Sequence, residues 1–234
     1  MKVSSMNWFM VQEQAARDDR ALLPLGSTEQ HAYLSLSVDT ILAAKVAEEA
    51  AARLDLPVFP AIPYGLAPYF RDFPGSVTLT PETYGRLVCE VLDSIHASGF
   101  RRILLVNGHG GNSPVLGPVS DWAAGKPGTR VRLHNWWNAP QTLAAVRQTD
   151  PNASHASWME NFPWTRLDGV DMPAEAKPMT DTDRLRQLAA SEVREQLGDG
   201  SYGGLYQRSD SEMQRIWEVA IEETVQLLQD GWAA

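Results

Sequence analysis

The sequence predicts an α/β protein, a three-layer α/β/α sandwich with a mainly parallel central sheet. Short apolar runs such as 103–106 have the composition of strands that are buried on both faces. Segments with helical spacing of apolar residues separate these runs, and this alternation is typical of βαβ units. A length of 234 residues suits one α/β domain of common size. We therefore expect a single domain over residues 1–234.

The predicted elements follow one another in a regular order. Gly26 ends the first strand, and the next helical segment carries Ile41, Leu42 and Val46 on one side. Thr80 suits a helix N-cap because its hydroxyl can accept from the first turn. In order, we predict strand 21–25, helix 40–54, strand 57–62, helix 82–98, strand 102–106, a helix opened by Ser113 and Pro114, strand 129–133, and helices 183–197 and 210–228.

Regular patterns stop in the segment 149–182, which is rich in proline and aromatic residues. Stretches of this length without secondary structure are uncommon in compact domains, and most of them are functional. We therefore expect a lid or active-site loop at about 149–182.

Charge and composition exclude several classes of partner. The chain has 20 Lys and Arg against 29 Asp and Glu, a formal net charge of −9. Proteins that bind nucleic acid or anionic membranes normally carry a basic stripe, whereas the densest basic cluster here is the pair Arg101 and Arg102. The apolar runs are far shorter than the roughly 20 residues that cross a bilayer. We expect no nucleic-acid or membrane partner and, because a single cysteine fits a reducing compartment, a cytoplasmic protein.

Two polar segments directly follow predicted strands and can carry chemistry. In the first, Glu29 and His31 stand two positions apart, so in extended backbone their side chains point the same way. Asp39 can return to them as the loop closes onto the next helix, although it would also serve as the N-cap of that helix. The carboxyl ends of parallel strands form the edge of a sheet where ligands bind.

The second segment places His109 in a glycine-rich turn between a strand and a helix. Its glycines would let a metal ion or a ligand approach the backbone closely. The same turn, from Gly108 to Asn112, could instead cradle a phosphate, which leaves a nucleotide- or sugar-phosphate-binding enzyme as the alternative function. The dinucleotide-binding fingerprint is incomplete, however, because its third glycine and its later acidic residue are missing.

Together the two segments offer a mixed set of carboxylates and imidazoles: Glu29, His31, Asp39 and His109. Such donors suit zinc, manganese or iron(II), and a carboxylate such as Asp39 can bridge two ions. A pair of divalent ions polarises a carbonyl group and activates water at neutral pH, which predicts hydrolysis. A third segment offers His155 and Glu160, either as site residues or as part of a surface loop that its aromatic neighbours hold down.

These segments resemble the creatininase family of creatinine amidohydrolases. The family pattern is Gly-Ser-x-Glu-Gln-His, then an Asp further along, and an Asn-Gly-His-Gly-Gly-Asn segment after a strand. Here the first segment stands at 26–31 with Asp39, and the last at 107–112. The segment 73–83, FPGSVTLTPET, is also similar to the family's Pro-Gly-Thr-x-x-Leu stretch. The similarity covers residues 20–165.

The resemblance implies a ligand set and a chemistry. Glu29, Asp39 and His109 would bind one metal ion, and His31 with the bridging Asp39 would bind a second. It also implies the three-layer α/β fold, two divalent ions per subunit (Zn, Mn or Fe), and a homo-oligomer that is often a hexamer. The reaction would be hydrolysis of a C–N bond in a small-molecule substrate, a cyclic or linear amide such as a lactam or formamide.

The chain also departs from the family pattern. Gly111 stands where creatinine hydrolases have a ligand Glu, so Glu160 is the expected replacement ligand. Close to it, His155 would transfer a proton to the leaving nitrogen or bind the substrate. The segments HAYLSLSVD and HASWMENFP differ from the usual forms, which points away from creatinine itself. A different pocket is expected, lined by one or more of four tryptophans: Trp136, Trp137, Trp158 and Trp164.

Overall fold

The computed structural model describes residues 1–232, and it shows a parallel sheet with helices packed on both faces. The strands are β1 (Arg20–Leu25), β2 (Arg102–Asn107) and β3 (Arg130–Asn135), which pair in parallel in that order. The helices are α1 (Trp8–Arg17), α2 (Val38–Ala52), α3 (Pro81–Ala97), α4 (Leu116–Ala124), α5 (Pro140–Thr149), α6 (Thr182–Leu185), α7 (Ala190–Leu197) and α8 (Asp210–Asp230).

The sheet lies between two apolar clusters because successive side chains of a strand point to opposite faces. Leu22 and Leu104 face the cluster to which α2 and α8 contribute. Leu23 and Leu105, one position further along, face the cluster to which α3 and α4 contribute. The predicted three-layer α/β/α sandwich with a parallel sheet is confirmed.

The predicted strand 57–62 is not a regular strand, so that prediction is wrong. Its backbone runs parallel to β1, with isolated bridges to Leu22 and Leu25. Phe59 N donates to Leu22 O at 2.9 Å, but Pro60 has no N–H to donate and interrupts the ladder. The segment therefore borders the sheet without forming a fourth strand.

Two predicted helix starts are displaced in the structure. Helix α2 begins at Val38, two residues before the predicted start, so Asp39 lies in its first turn and is not its N-cap. The helix predicted to open at Ser113 and Pro114 is first a 3-10 helix, Gly110–Val115, and becomes α4 only at Leu116. Thr80 does cap α3, since its hydroxyl accepts from Thr83 N.

Contacts that cap helix N-termini explain the remaining differences among the helices. Helix α5 was not predicted, and its first backbone N–H groups, at Gln141 and Thr142, donate to the Glu223 carboxylate of α8. The predicted helix 183–197 is divided into α6 and α7, because Ala189 N donates to the Glu192 carboxylate and starts a new helix there.

Within residues 1–232, no helix has both the length and the apolar character that crossing a membrane requires.

The segment 149–182 is irregular apart from its two 3-10 turns, Trp158–Glu160 and Pro163–Thr165, and the start of α6. Trp158 and Phe162 are fully buried in the cluster that contains α8. These two anchors hold Glu160, which lies between them in the sequence. Movement of the segment as a lid stays a prediction.

His134 joins the end of β3 to α8. Its Nε2 lies 2.9 Å from Thr224 Oγ1, and that hydroxyl donates to Ala220 O, so Nε2 must carry a proton and donate. Burial lowers the pKa of His134 to about 4, although the nearby Glu223 carboxylate opposes the shift. Neutral His134 is therefore the form that the folded protein stabilises.

We expect the free energy of unfolding to fall by about 2 kcal/mol between pH 7 and pH 5 through His134 alone. The unfolded chain takes up a proton at this residue below about pH 6.5, whereas the folded protein does so only near its lowered pKa of about 4. Denaturant unfolding at both pH values measures the effect. His134→Gln can still donate to Thr224 and should lose this part of the pH dependence. An identical pH dependence in both proteins would contradict the expectation.

Candidate metal centre

Two loops and the first turn of α2 meet at the carboxyl edge of the sheet. The loop after β1 carries Glu29 and His31, the turn after β2 carries His109, and α2 carries Asp39. Gly108 makes this meeting possible, because a Cβ atom there would overlap the backbone carbonyl of Asp39. The helix that carries Asp39 therefore packs directly against the end of β2.

The first group of possible ligands consists of Glu29, Asp39 and His109. His109 Nδ1 lies 3.1 Å from Asp39 Oδ2, and its Nε2 lies 3.2 Å from Glu29 Oε2. Nε2 also lies 2.9 Å from Leu66 O, to which it can donate. A proton on Nε2 leaves Nδ1 unprotonated, and its lone pair can bind a cation beside Asp39. Ser27 Oγ donates to Glu29 Oε2 at 3.1 Å and orients that carboxylate.

The second group consists of His31, Asp39 and Glu160. His31 Nδ1 lies 3.1 Å from Glu29 O, to which it can donate. Its Nε2 is then unprotonated and can bind a cation. This nitrogen lies 3.2 Å from Asp39 Oδ1 and 3.7 Å from Glu160 Oε2. Ala156 N donates to Glu160 Oε2 at 2.6 Å and fixes that side chain. Asp39 belongs to both groups, so its carboxylate can bridge two cations.

Three buried atoms that could bind a cation have no hydrogen-bond partner among the described residues: Glu29 Oε1, His31 Nε2 and Asp39 Oδ2. Their short contacts with one another lack hydrogen-bond geometry. A buried polar atom without a partner costs roughly 1–3 kcal/mol, and more when it is charged. Divalent cations would satisfy all three atoms, so the residues present fit a metal centre.

Buried charges set the protonation of this cluster. Burial lowers the pKa of His31, but the Asp39 and Glu160 carboxylates more than offset this and raise it to about 10. Burial lowers the pKa of His109 as well, and Glu29 and Asp39 raise it well above its ordinary value. Burial raises the pKa of Glu160 to about 7, against the opposing charge of His31. In the metal-free protein, protons on both histidines thus balance the buried carboxylates.

Asp39 stays ionised between the two histidines. Burial raises the pKa of Asp39, but the nearby charges of His31 and His109 outweigh this and hold the pKa below its ordinary value. A carboxylate that remains charged between two imidazoles is suited to binding cations on either side.

His155 forms the wall beside these two groups. Its Nδ1 lies 3.9 Å from Glu29 Oε1, and its ring stacks on Phe70 with the ring centroids 4.7 Å apart. Burial lowers the pKa of His155 well below its ordinary value, and the charge of His31 lowers it further. Glu29, His31 and His155 also form a third group that could hold a cation. The fold therefore brings together all six residues that the sequence predicted: Glu29, His31, Asp39, His109, His155 and Glu160.

A cavity of about 530 Å³ opens over the cluster. Trp137, Phe70 and Tyr202 line it beside the polar groups. The other three tryptophans that were considered for the pocket pack in or against the apolar core instead: Trp136, Trp158 and Trp164.

Sequence reasoning missed three residues at this site. Phe70 and Tyr202 come from loops far apart in the chain, and no motif marks them. Gln30 did carry a signal, because it stands between the candidate ligands Glu29 and His31. Its amide nitrogen lies 2.8 Å from His155 Nε2.

The turn from Gly108 to Asn112 does not support the alternative of phosphate binding. Gly108 N donates to Leu25 O and Asn112 N donates to His109 O, so these N–H groups already have acceptors. The carboxylates of Glu29 and Asp39 lie against His109 of the same turn, and they would repel a phosphate.

We expect Gly111→Ala to weaken metal binding by about 10-fold or more. A Cβ atom at position 111 would overlap Leu66 O and the His109 ring, so His109 would have to move. Gly110→Ala is the matched control, since the nearest atom to a Cβ there is 3.9 Å away. Metal content after dialysis against a weak chelator measures the effect. Equal metal content in the two variants would contradict this account of Gly111.

Comparisons with known proteins identify the family of this chain. A family model, Creatininase (creatinine amidohydrolase), matches residues 4–228. Creatinine amidohydrolase of Pseudomonas putida is 28% identical over 162 residues, 64% of this chain and 62% of that protein. Mycofactocin precursor peptide peptidase of Mycobacterium tuberculosis (strain CDC 1551 / Oshkosh) is 41% identical over 106 residues, 41% of this chain and 42% of that protein. The matched part is thus less than two thirds of either relative.

A solved structure described as "Creatininase Mn" has the same fold. It superposes with a TM-score of 0.80 at 23% identity, covering 100% of this chain and 99% of that one. The family model spans nearly the whole chain, including both segments that carry the predicted ligands. The chain therefore belongs to the creatininase family.

Proposed function

We propose that this protein is a metal-dependent amidohydrolase, which cleaves a C–N bond of a cyclic or linear amide. The observation that carries the proposal is the position of Asp39, whose two carboxylate oxygens face two separate groups of donors. Membership of the creatininase family supports the same chemistry.

The donors suit two divalent ions per subunit, zinc, manganese or iron(II). Glu29, Asp39 and His109 would hold one ion, and His31, Asp39 and Glu160 the other. When bound, such ions polarise an amide carbonyl and lower the pKa of water towards neutrality. Glu160 would occupy the place of the ligand that Gly111 cannot supply. The solved creatininase described as a Mn form supports manganese among these ions.

Side chains of the cavity would bind and orient the amide. Phe70, Trp137 and Tyr202 offer aromatic surfaces that can hold the apolar part of a substrate and exclude water. His155 and Glu160 line the cavity and belong to the irregular segment 149–182. We assign contact with the reacting amide to these two residues. Movement of that segment would admit the substrate and release the products.

The proposed substrates are small amides: lactams, formamides and cyclic ureides. A cavity of about 530 Å³ lies in the range of ordinary small-ligand sites. Short peptides join this class because the mycobacterial relative is named a peptide peptidase. The altered segments around His31 and His155 point away from creatinine.

We also propose a homo-oligomer, up to a hexamer, in the cytoplasm. Trp8 and Phe9 of α1 are 65% and 57% exposed, and their rings stack on each other. An exposed aromatic patch of this kind favours contact with another copy of the chain. The single cysteine, Cys89, is unpaired, which supports a reducing compartment.

A hydrolysis screen of these amides with added zinc, manganese or iron(II) tests reaction class and metal together. We expect turnover only with metal, and Asp39→Asn should lose bound metal and at least about 100-fold in kcat/KM, because one carboxylate serves both groups. His96→Gln is the control, since His96 lies in the last turn of α3, outside the three ligand groups. Full metal content in Asp39→Asn, or no transition metal in the wild-type protein, would refute the proposal.

We expect metal binding at pH 7 to release about two to three protons per subunit. His31 and His109 are protonated in the metal-free protein because their pKa values lie above neutrality, and a histidine ligand must be neutral. Glu160, with its pKa raised to about 7, contributes a fraction of a proton. Affinity should therefore rise as the pH is raised. Calorimetry in buffers with different ionisation enthalpies counts the protons, and His31→Gln should release about one fewer. Metal binding without proton release would contradict this account of the two histidines.

A further inference from the structure

Gln30 contacts His155 from the side that faces away from the metal centre. Its Nε2 lies 2.8 Å from His155 Nε2, and it also donates to Gly200 O at 3.0 Å. Its Oε1 accepts from Ala32 N at 3.1 Å. Every polar atom of this buried amide therefore has a partner.

These partners determine which way the amide points. If the oxygen and nitrogen of Gln30 exchanged places, the oxygen would face Gly200 O and the NH₂ group would face Ala32 N. One position would then pair two acceptors and the other two donors, and both hydrogen bonds would be lost. The group that faces His155 Nε2 is thus the NH₂ donor.

The consequence for His155 follows from the donor and acceptor roles of its ring. Because a donor faces Nε2, that nitrogen must accept, and the single ring proton of the neutral imidazole sits on Nδ1. Gln30 O, at 3.2 Å, is a second possible partner for Nε2. A proton on Nε2 directed at that carbonyl would be repelled by the nearer amide hydrogen of Gln30. The doubly protonated ring also carries this proton, so it is disfavoured as well.

Aromatic neighbours hold the ring in this orientation. Phe70 stacks on His155 with an interplanar angle of 14°, and the Tyr202 ring lies with its centroid 5.0 Å from that of His155. Nδ1 therefore stays on the side of Glu29, 3.9 Å from its Oε1.

We propose that Gln30 is a positioning residue, which fixes His155 as a neutral imidazole with its proton on Nδ1, directed into the cavity. His155 is then a hydrogen-bond donor to the oxygen of the reacting amide. It is neither a metal ligand nor the carrier of the proton that the leaving nitrogen needs. This inference rests on the proposed amidohydrolase function and, of the two roles expected for His155, selects contact with the substrate over proton transfer.

Nuclear magnetic resonance of the zinc-loaded protein with ¹⁵N-labelled histidine tests the tautomer directly. His155→Gln assigns the signal by its loss. We expect a protonated Nδ1 and an unprotonated Nε2 at His155. A proton on Nε2, or coordination of zinc by His155, would overturn the proposal. The expected tautomer in a protein that hydrolyses no amide would support Gln30 as the positioning residue and refute the amidohydrolase function instead.

Two variants of Gln30 separate positioning from a structural role. Gln30→Met removes the donor, and Gln30→Glu replaces it with an acceptor of the same shape, so both should move a proton onto His155 Nε2. In Gln30→Met the neutral His155 ring then has no proton on Nδ1, so this variant should lose about 100-fold in kcat. KM and zinc content should change little, because the lost contact strengthens in the transition state. Ser76→Ala, which removes only the hydrogen bond to Gln30 N, should keep the wild-type tautomer. Wild-type ¹⁵N signals at His155 in both Gln30 variants would overturn the proposal.

Discussion

The centre depends on how closely the first turn of α2 approaches the end of β2. Gly108 allows that approach, since any side chain there would overlap the backbone of Asp39. The contact places the two oxygens of the Asp39 carboxylate 3.2 Å from His31 Nε2 and 3.1 Å from His109 Nδ1. One helix position thereby links the loops that follow two neighbouring strands.

Hydrogen bonds behind the donors make the arrangement rigid. His31 can donate from Nδ1 to Glu29 O, and His109 from Nε2 to Leu66 O, so each ring presents its other nitrogen to Asp39. Asn112 joins the same loops, because its amide donates to Gly26 O and accepts from Leu66 N. Donors held in this way bind a cation with little reorganisation, and the protons that now balance the buried carboxylates would leave in exchange.

The sequence predicted most of the centre because its residues follow strands or begin a helix. Glu29, His31, Asp39 and His109 could be placed at one sheet edge from strand order alone, and the family resemblance added His155 and Glu160. Other features depended on contacts between distant parts of the chain. Glu223 of α8 caps α5, and Gly200 orients the Gln30 amide. Local propensity contains no signal for such contacts, so the existence of α5 and the role of Gln30 required the structure.

One carboxylate, that of Asp39, would join two cation sites. Crystals of the metal-loaded protein, with anomalous diffraction collected at the absorption edge of the bound metal, test this arrangement. We expect two peaks about 3.5–4 Å apart, with one Asp39 oxygen on each and with His109 and His31 on opposite sides. A single peak, or two peaks of which neither is bound by Asp39, would contradict it.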